Sequence, residues 1–153
     1  MREVLINTIL TTMIGDIWLR CIGEQTEEIC LKAVRECGWA LKYIENQTEE
    51  ICLEAVKQDG MTLEYVKEQT REICIAAVKQ NGWAIFLVKD QTEELCLEAV
   101  RTDGCALKCV INQTYEICIE AVRQNGLALE YVKNQTEEIC ITSVKQNGYV
   151  LQL

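Results

Sequence analysis

The apolar positions of this chain fall into two alternating textures, and the alternation returns every 22 residues. Across the segment QTEEICLEAVKQDGMTLEYVKE (47–68), a polar opening gives way to Ile51, Cys52, Leu53, Ala55 and Val56. That apolar face is broader than one exposed amphipathic stripe needs, so the segment is predicted as a helix flanked on more than one side. Thr48 stands where a helix N-cap is wanted, and its hydroxyl can accept from an otherwise unpaired first-turn amide. Glu49 and Glu50 follow, where negative charge suits the positive end of the helix dipole, and Lys57 sits in the last turn. Asp59-Gly60 is predicted to end the helix, with Gly60 in the left-handed conformation that glycine takes without steric cost.

The second texture, Met61 to Lys67, carries Met61, Leu63, Tyr65 and Val66. Its alternation also permits a strand, and a strand and helix every 22 residues would resemble a leucine-rich repeat. The Leu-x-x-Leu-x-Leu-x-x-Asn pattern is absent, however, and Ala40, Ala84, Ala106 and Ala128 at equivalent places favour helix. Each unit is therefore expected to hold two helices of about 11 and about 8 residues joined by short turns.

Three residue types keep one register. Gln-Thr recurs at Gln25, Gln47, Gln69, Gln91, Gln113 and Gln135, each followed by Thr. Cysteine recurs at Cys30, Cys52, Cys74, Cys96, Cys118 and Cys140, and glycine at Gly38, Gly60, Gly82, Gly104, Gly126 and Gly148. The prediction is an all-α protein, an α-solenoid of six 22-residue two-helix repeats plus a degenerate N-terminal repeat, in one domain spanning 1–153. The repeats are 25–46, 47–68, 69–90, 91–112, 113–134 and a truncated 135–153. Residues 1–24 are read as a capping repeat, because a shift of 22 places Ile17 on Trp39, Leu19 on Leu41 and Ile22 on Ile44. Helices this short are marginal alone in water, so stability has to come from stacking.

Composition narrows the function. Fifteen basic against 24 acidic residues give a net charge of −9, the opposite of a phosphate-binding footprint, so nucleic acid is not the expected partner. The apolar run from Val4 to Ile22 is interrupted by Asn7, Thr8, Thr11, Thr12, Asp16 and Arg20, so no membrane span is expected. Six of the ten cysteines sit in one repeat position. Stacked helices lie roughly 8–10 Å apart, beyond the ~7 Å Cα limit for a disulfide. The cysteines are therefore read as small buried hydrophobes, and the expected location is intracellular and cytoplasmic. Asn46, Asn112 and Asn134 each begin an Asn-x-Thr glycosylation pattern, but the threonine is already explained as a cap.

The segments Ala77-Val78-Lys79-Gln80-Asn81-Gly82-Trp83-Ala84-Ile85 and Ala121-Val122-Arg123-Gln124-Asn125-Gly126-Leu127-Ala128-Leu129 carry a recognisable motif, Ala-Val-Lys-x-Asn-Gly-x-Ala-Leu. It resembles a short helical repeat of unknown function found in giant DNA viruses, and the resemblance covers 25–153. It implies an all-helical repeat protein of viral origin acting in the host cytoplasm, and implies neither reaction nor ligand. Cys37-Gly38 and Asp103-Gly104 depart from the Asn-Gly of the motif.

Chemistry is thinly represented. The chain has no histidine, Gly-rich phosphate loop or Cys-x-x-Cys pair. Cys105 and Cys109 could join Cys96 or Cys118 on a metal, but they occupy the Trp39 and Tyr43 positions and read as packing substitutions. Carboxylate pairs such as Glu49-Glu50 recur in most copies as first-turn charges rather than as one special dyad. No enzyme, cofactor or metal is expected. Three mid-chain positions exchange charge for large apolar groups: Phe86 stands in the row of Lys42 and Glu64, Ile111 in that of Lys67 and Lys89, and Tyr115 in that of Glu27 and Glu49. With Tyr149, Leu151 and Leu153 near the C-terminus they form the candidate protein interface. The leading expectation is a protein–protein interaction module. The alternative is a structural protein that self-assembles, as a homodimer or larger homo-oligomer, through this patch or its ends.

Overall fold

The structure, a computed structural model, describes residues 25–148. The elements are α1 (Glu27–Glu36), η1 (Gly38–Tyr43), α2 (Glu49–Gln58), η2 (Gly60–Tyr65), α3 (Arg71–Gln80) and η3 (Gly82–Leu87). They continue with α4 (Glu93–Thr102), η4 (Gly104–Cys109), α5 (Tyr115–Gln124), η5 (Gly126–Tyr131) and α6 (Glu137–Gln146). The α elements are α-helices and the η elements 3₁₀-helices. Each α-helix packs on the next, and each 3₁₀-helix lies against its own and the following α-helix. The protein is an all-helical solenoid with no strand among the described residues. The expected N-terminal cap (1–24) and the interface residues Tyr149, Leu151 and Leu153 lie outside them.

Helix starts follow the sequence reading. The hydroxyls of Thr26, Thr48, Thr70, Thr92, Thr114 and Thr136 each accept from the amide three residues on, as in Ile51 N to Thr48 Oγ1 at 3.4 Å. The α-helices run 10 residues and the second helices only 6. The second helix is 3₁₀ rather than α, and one row of its buried positions recurs every third residue, with Thr62 and Ala84 buried beside it. Gly60, Leu63 and Val66 share one face, as do Gly82, Ile85 and Val88, which suits three residues per turn. Asp59, Asn81, Asp103 and Asn125 start these helices by accepting the amide two residues on, as in Met61 N to Asp59 Oδ1 at 2.9 Å.

The expectation of left-handed glycines is not met, since no described residue has a positive φ. The α-helices end in an extended residue (Asp59, φ −150°), and glycine opens the next 3₁₀-helix. Glycine is required by what lies opposite it. A Cβ on Gly104 would stand 2.5 Å from the Ala121 carbonyl oxygen of the next repeat, and one on Gly82 2.5 Å from that of Ala99. The missing side chain lets adjacent repeats meet backbone to backbone.

The core runs the length of the stack as rows of identical positions. Leu41, Leu63, Ile85 and Leu107 from the 3₁₀-helices are fully buried against Ile51, Ile73, Ile117 and Ile139 from the α-helices. Ala55, Ala77, Ala99 and Ala121 bring the helices close. Where the last copy has Ser143 in this row, its hydroxyl donates to the Gly126 carbonyl at 2.8 Å, satisfying a fully buried polar group.

Candidate functional site

Most side chains that reach between repeats are consumed by the stack itself. The Gln of each Gln-Thr pair is a bracket. Gln47 Nε2 donates to the Leu41 carbonyl at the end of η1 (3.3 Å) and the Tyr65 carbonyl at the end of η2 (2.9 Å), while Oε1 accepts from Lys67 N (3.0 Å). Gln91 and Gln113 repeat the set. The recurrence of this glutamine was visible in the sequence, but its role was not, because its partners lie 18 and 20 residues away and in the preceding repeat. A second glutamine row does similar work: the amides of Gly60, Gly104 and Gly126 donate to Gln80, Gln124 and Gln146 Oε1 at 2.6–2.7 Å.

A lysine row follows the 3₁₀-helices. Lys67 Nζ donates to the Glu45 carbonyl (2.6 Å), Lys89 Nζ to that of Lys67 (3.2 Å) and Lys133 Nζ to that of Ile111 (2.9 Å). On the 3₁₀ face itself, Trp39 Nε1 donates to Asp59 Oδ2 (2.9 Å) and Trp83 Nε1 to Asp103 Oδ2 (2.8 Å). Trp39 meets Tyr65 edge-on with centroids 5.7 Å apart, and the Lys42 ammonium lies 5.5 Å from the same ring's centroid. Lys108 sits likewise over Tyr131 at 5.7 Å.

The cysteine row closes the account of the regular positions. Every cysteine among the described residues is a free thiol. Cys52 Sγ lies 3.8 Å from Gln47 Oε1 and Cys118 Sγ 3.7 Å from Gln113 Oε1. Burial, with the Glu49 charge adding to it, pushes the Cys52 thiol up to about 11. Cys74, Cys96 and Cys118 are raised mainly by burial too, so these sulfurs stay protonated and poorly nucleophilic at neutral pH. Cys105 is placed as a packing residue, its Sγ 3.3 Å from Asn125 Nδ2.

Against this background the three mid-chain substitutions stand apart. Phe86 on η3 is 70 % exposed, Ile111 just after η4 is 65 % exposed and Tyr115 at the start of α5 is 50 % exposed. Phe86 occupies the row of Lys108, and Ile111 lies three residues beyond Lys108, past the extended Val110 that ends η4. Tyr115, the first residue of α5, lines a recess with Gln113, Thr114, Cys118, Asn134 and Lys133, a member of the row of Ile111, and its hydroxyl pairs with Glu138. Phe86 thus lies on the 3₁₀ side, whereas Ile111 lies on the connection between η4 and α5, in the lysine row that lines such recesses. Trp39, Leu127 and Ile141 are further exposed apolar residues that sequence reasoning did not single out.

Glu93, Glu94, Glu116, Glu137 and Glu138 crowd the helix starts around Tyr115. Glu94 is taken by Arg71, whose guanidinium reaches it at 2.6 Å. Glu93 accepts the Thr114 hydroxyl at 3.0 Å. No helix among the described residues is long and apolar enough to cross a membrane.

A family model described as Domain of unknown function (DUF4116) matches residues 26–70, 48–92, 92–136 and 114–153. The matches overlap by repeats, most of them covering about two copies of the 22-residue unit. No curated protein and no solved structure matches the chain.

Proposed function

The chain belongs to the DUF4116 family, and from that premise we propose that it is a non-enzymatic scaffold that holds a protein partner on its middle repeats. One observation carries this reading. The regular rows are engaged within the stack, and Phe86 and Ile111 leave that pattern to present bare apolar surface at 70 % and 65 % exposure. Large apolar groups left exposed on two consecutive repeats are what a partner can cover. The buried thiols suit a reducing compartment. The resemblance of the Ala-Val-Lys-x-Asn-Gly-x-Ala-Leu motif to giant-virus repeats favours a viral protein acting in the host cytoplasm.

Selection from a displayed random-peptide library, counter-selected on the F86K/I111K double variant, tests the proposal. The expected clones bind the wild-type chain and not the variant; clones that bind both equally would overturn it. Light scattering run alongside is expected to give the monomer mass. A doubled mass that falls back to the monomer in F86K/I111K would favour the self-assembling scaffold instead.

A further inference from the structure

The junction between repeats 69–90 and 91–112 lacks two of the cross-links seen elsewhere in the stack. Thr102 stands in the row of Gln80, Gln124 and Gln146, and its hydroxyl donates back to the Glu98 carbonyl of its own helix (3.0 Å) instead of bracketing the previous glycine. Ile111 stands in the lysine row. Lys67, Lys89 and Lys133 each donate to the carbonyl 22 residues back, whereas the acceptor at this step, the Lys89 carbonyl, is matched with a side chain that has no donor.

The exchange also changes the local charge. One recess along the stack is lined by Glu49 and Lys67 together. At the equivalent places two repeats on stand Glu93 and Ile111, so the carboxylate keeps no ammonium from that row. Glu116, Glu137 and Glu138 lie at the neighbouring helix starts, with Lys133 in the recess beside Tyr115 and with Arg71 and Lys89 lining the one at the start of α4. A second copy of the chain fits poorly here, because a two-fold interface would set these carboxylates against themselves.

We propose that this junction takes a basic amphipathic segment of a partner protein. Its apolar side chains cover Phe86 and Ile111. A lysine or arginine supplies the missing rung, donating to the Lys89 carbonyl and pairing with Glu93. The inference rests on the scaffold reading above and adds the chemistry of the partner.

The test uses substitutions that the array already carries at other repeats. Ile111→Lys restores the lysine row from within, and Phe86→Lys restores the charge found at Lys42 and Lys108. Thr102→Gln restores the other bracket at the far end of α4, about 15 Å away along the helix. The probe is a fluorescently labelled helical peptide of leucine and lysine, with a leucine–glutamate peptide of the same pattern as its counterpart, read by anisotropy at about 0.15 M salt. The leucine–lysine peptide should bind, I111K and F86K should each weaken it about tenfold or more, and T102Q should bind as the wild type does. Equal binding to wild type and I111K would overturn the proposal, leaving only general attraction to an acidic surface. Binding of neither peptide would also overturn it. If the leucine–glutamate peptide binds and F86K/I111K abolishes that, the basic partner is refuted while the scaffold reading stands.

Discussion

Replacing Gly104 by alanine separates two explanations of the repeated glycine. If glycine served only to reach a left-handed conformation, its neighbours would be irrelevant; the backbone has no such conformation at any described glycine. Alanine at a compatible φ should then stabilise by about 0.4–1 kcal/mol through the unfolded chain. The structure says otherwise at this site. The new Cβ would lie 2.5 Å from Ala121 O, 2.8 Å from Gln124 Oε1 and 3.1 Å from the Asn125 Cβ, and the first of these is backbone. Relieving the overlap means separating two repeats, at about 1–3 kcal/mol for an overpacked contact. Moving the Gln124 side chain also sacrifices its bond from Gly104 N, now 2.7 Å, worth about 1 kcal/mol. Net of the entropic gain, Gly104→Ala should cost about 2 kcal/mol, which lowers Tm by about 4–8 °C in a chain of this size. Gly148 is the internal control, because a Cβ there meets nothing within 4 Å among the described residues. Gly148→Ala should leave Tm unchanged or raise it. Thermal melts of the two variants that shift alike in sign and size would refute the close-approach argument.

Three further outcomes follow from the same contacts. Gln69→Ala removes bonds to the Leu87 carbonyl and from Lys89 N, both 3.0 Å; urea denaturation should show a loss of about 2 kcal/mol, and a change under about 0.5 kcal/mol would deny the bracket its role. Val78→Asp buries a carboxylate at a site with no exposure and should cost over about 3 kcal/mol. Lys79→Glu alters a surface pair 3.8 Å from Glu98 and should cost within about 1 kcal/mol; equal melts would mean that the buried face is misassigned. Cys52 ionises near 11 in the folded chain against an ordinary 9.0, so its thiol favours the folded state fully below about pH 9 and loses that contribution as the pH climbs through about 11. Tm should fall over that window, less steeply in Cys52→Ala; identical slopes would show that this thiol is not the source.

The parts of the fold that were legible from sequence are those whose causes lie within one repeat. Thr48 caps its own helix three residues on, and Ile51, Cys52 and Val56 mark the buried side of that helix. The 3₁₀ character was also written locally, in the three-residue spacing of Gly60, Leu63 and Val66, but the alternation of Met61, Leu63 and Tyr65 drew attention to an α-or-strand choice instead. What stayed hidden depends on the next repeat. Gly104 is needed for Ala121, and Gln47 ties η1 to η2, so neither role shows in an isolated 22-residue unit. Phe86, Ile111 and Tyr115 were legible as departures from their rows, and all three are exposed. The division between the 3₁₀ side and the recess at Tyr115 needed the three-dimensional stack.

The indole bonds of Trp39 and Trp83 bear on how such an array can change length. Trp39 donates to Asp59 and Trp83 to Asp103, whereas Met61, Cys105 and Leu127, at the same position in other copies, precede Asn81, Asn125 and Asn147. An indole is a donor only, and an aspartate offers it a carboxylate oxygen beyond the one that caps the 3₁₀-helix. Asparagine has a single oxygen, already used as the cap at Asn81, and turns an amino group toward its neighbour. Excising one repeat, 47–68, would set Trp39 against Asn81 and leave the indole facing a donor. Excising two, 47–90, would set it against Asp103 and keep the match. In this part of the chain, gain or loss of material that preserves the indole bond therefore proceeds in steps of 44 residues rather than 22, and for this bond the neighbouring copies behave as a heritable pair.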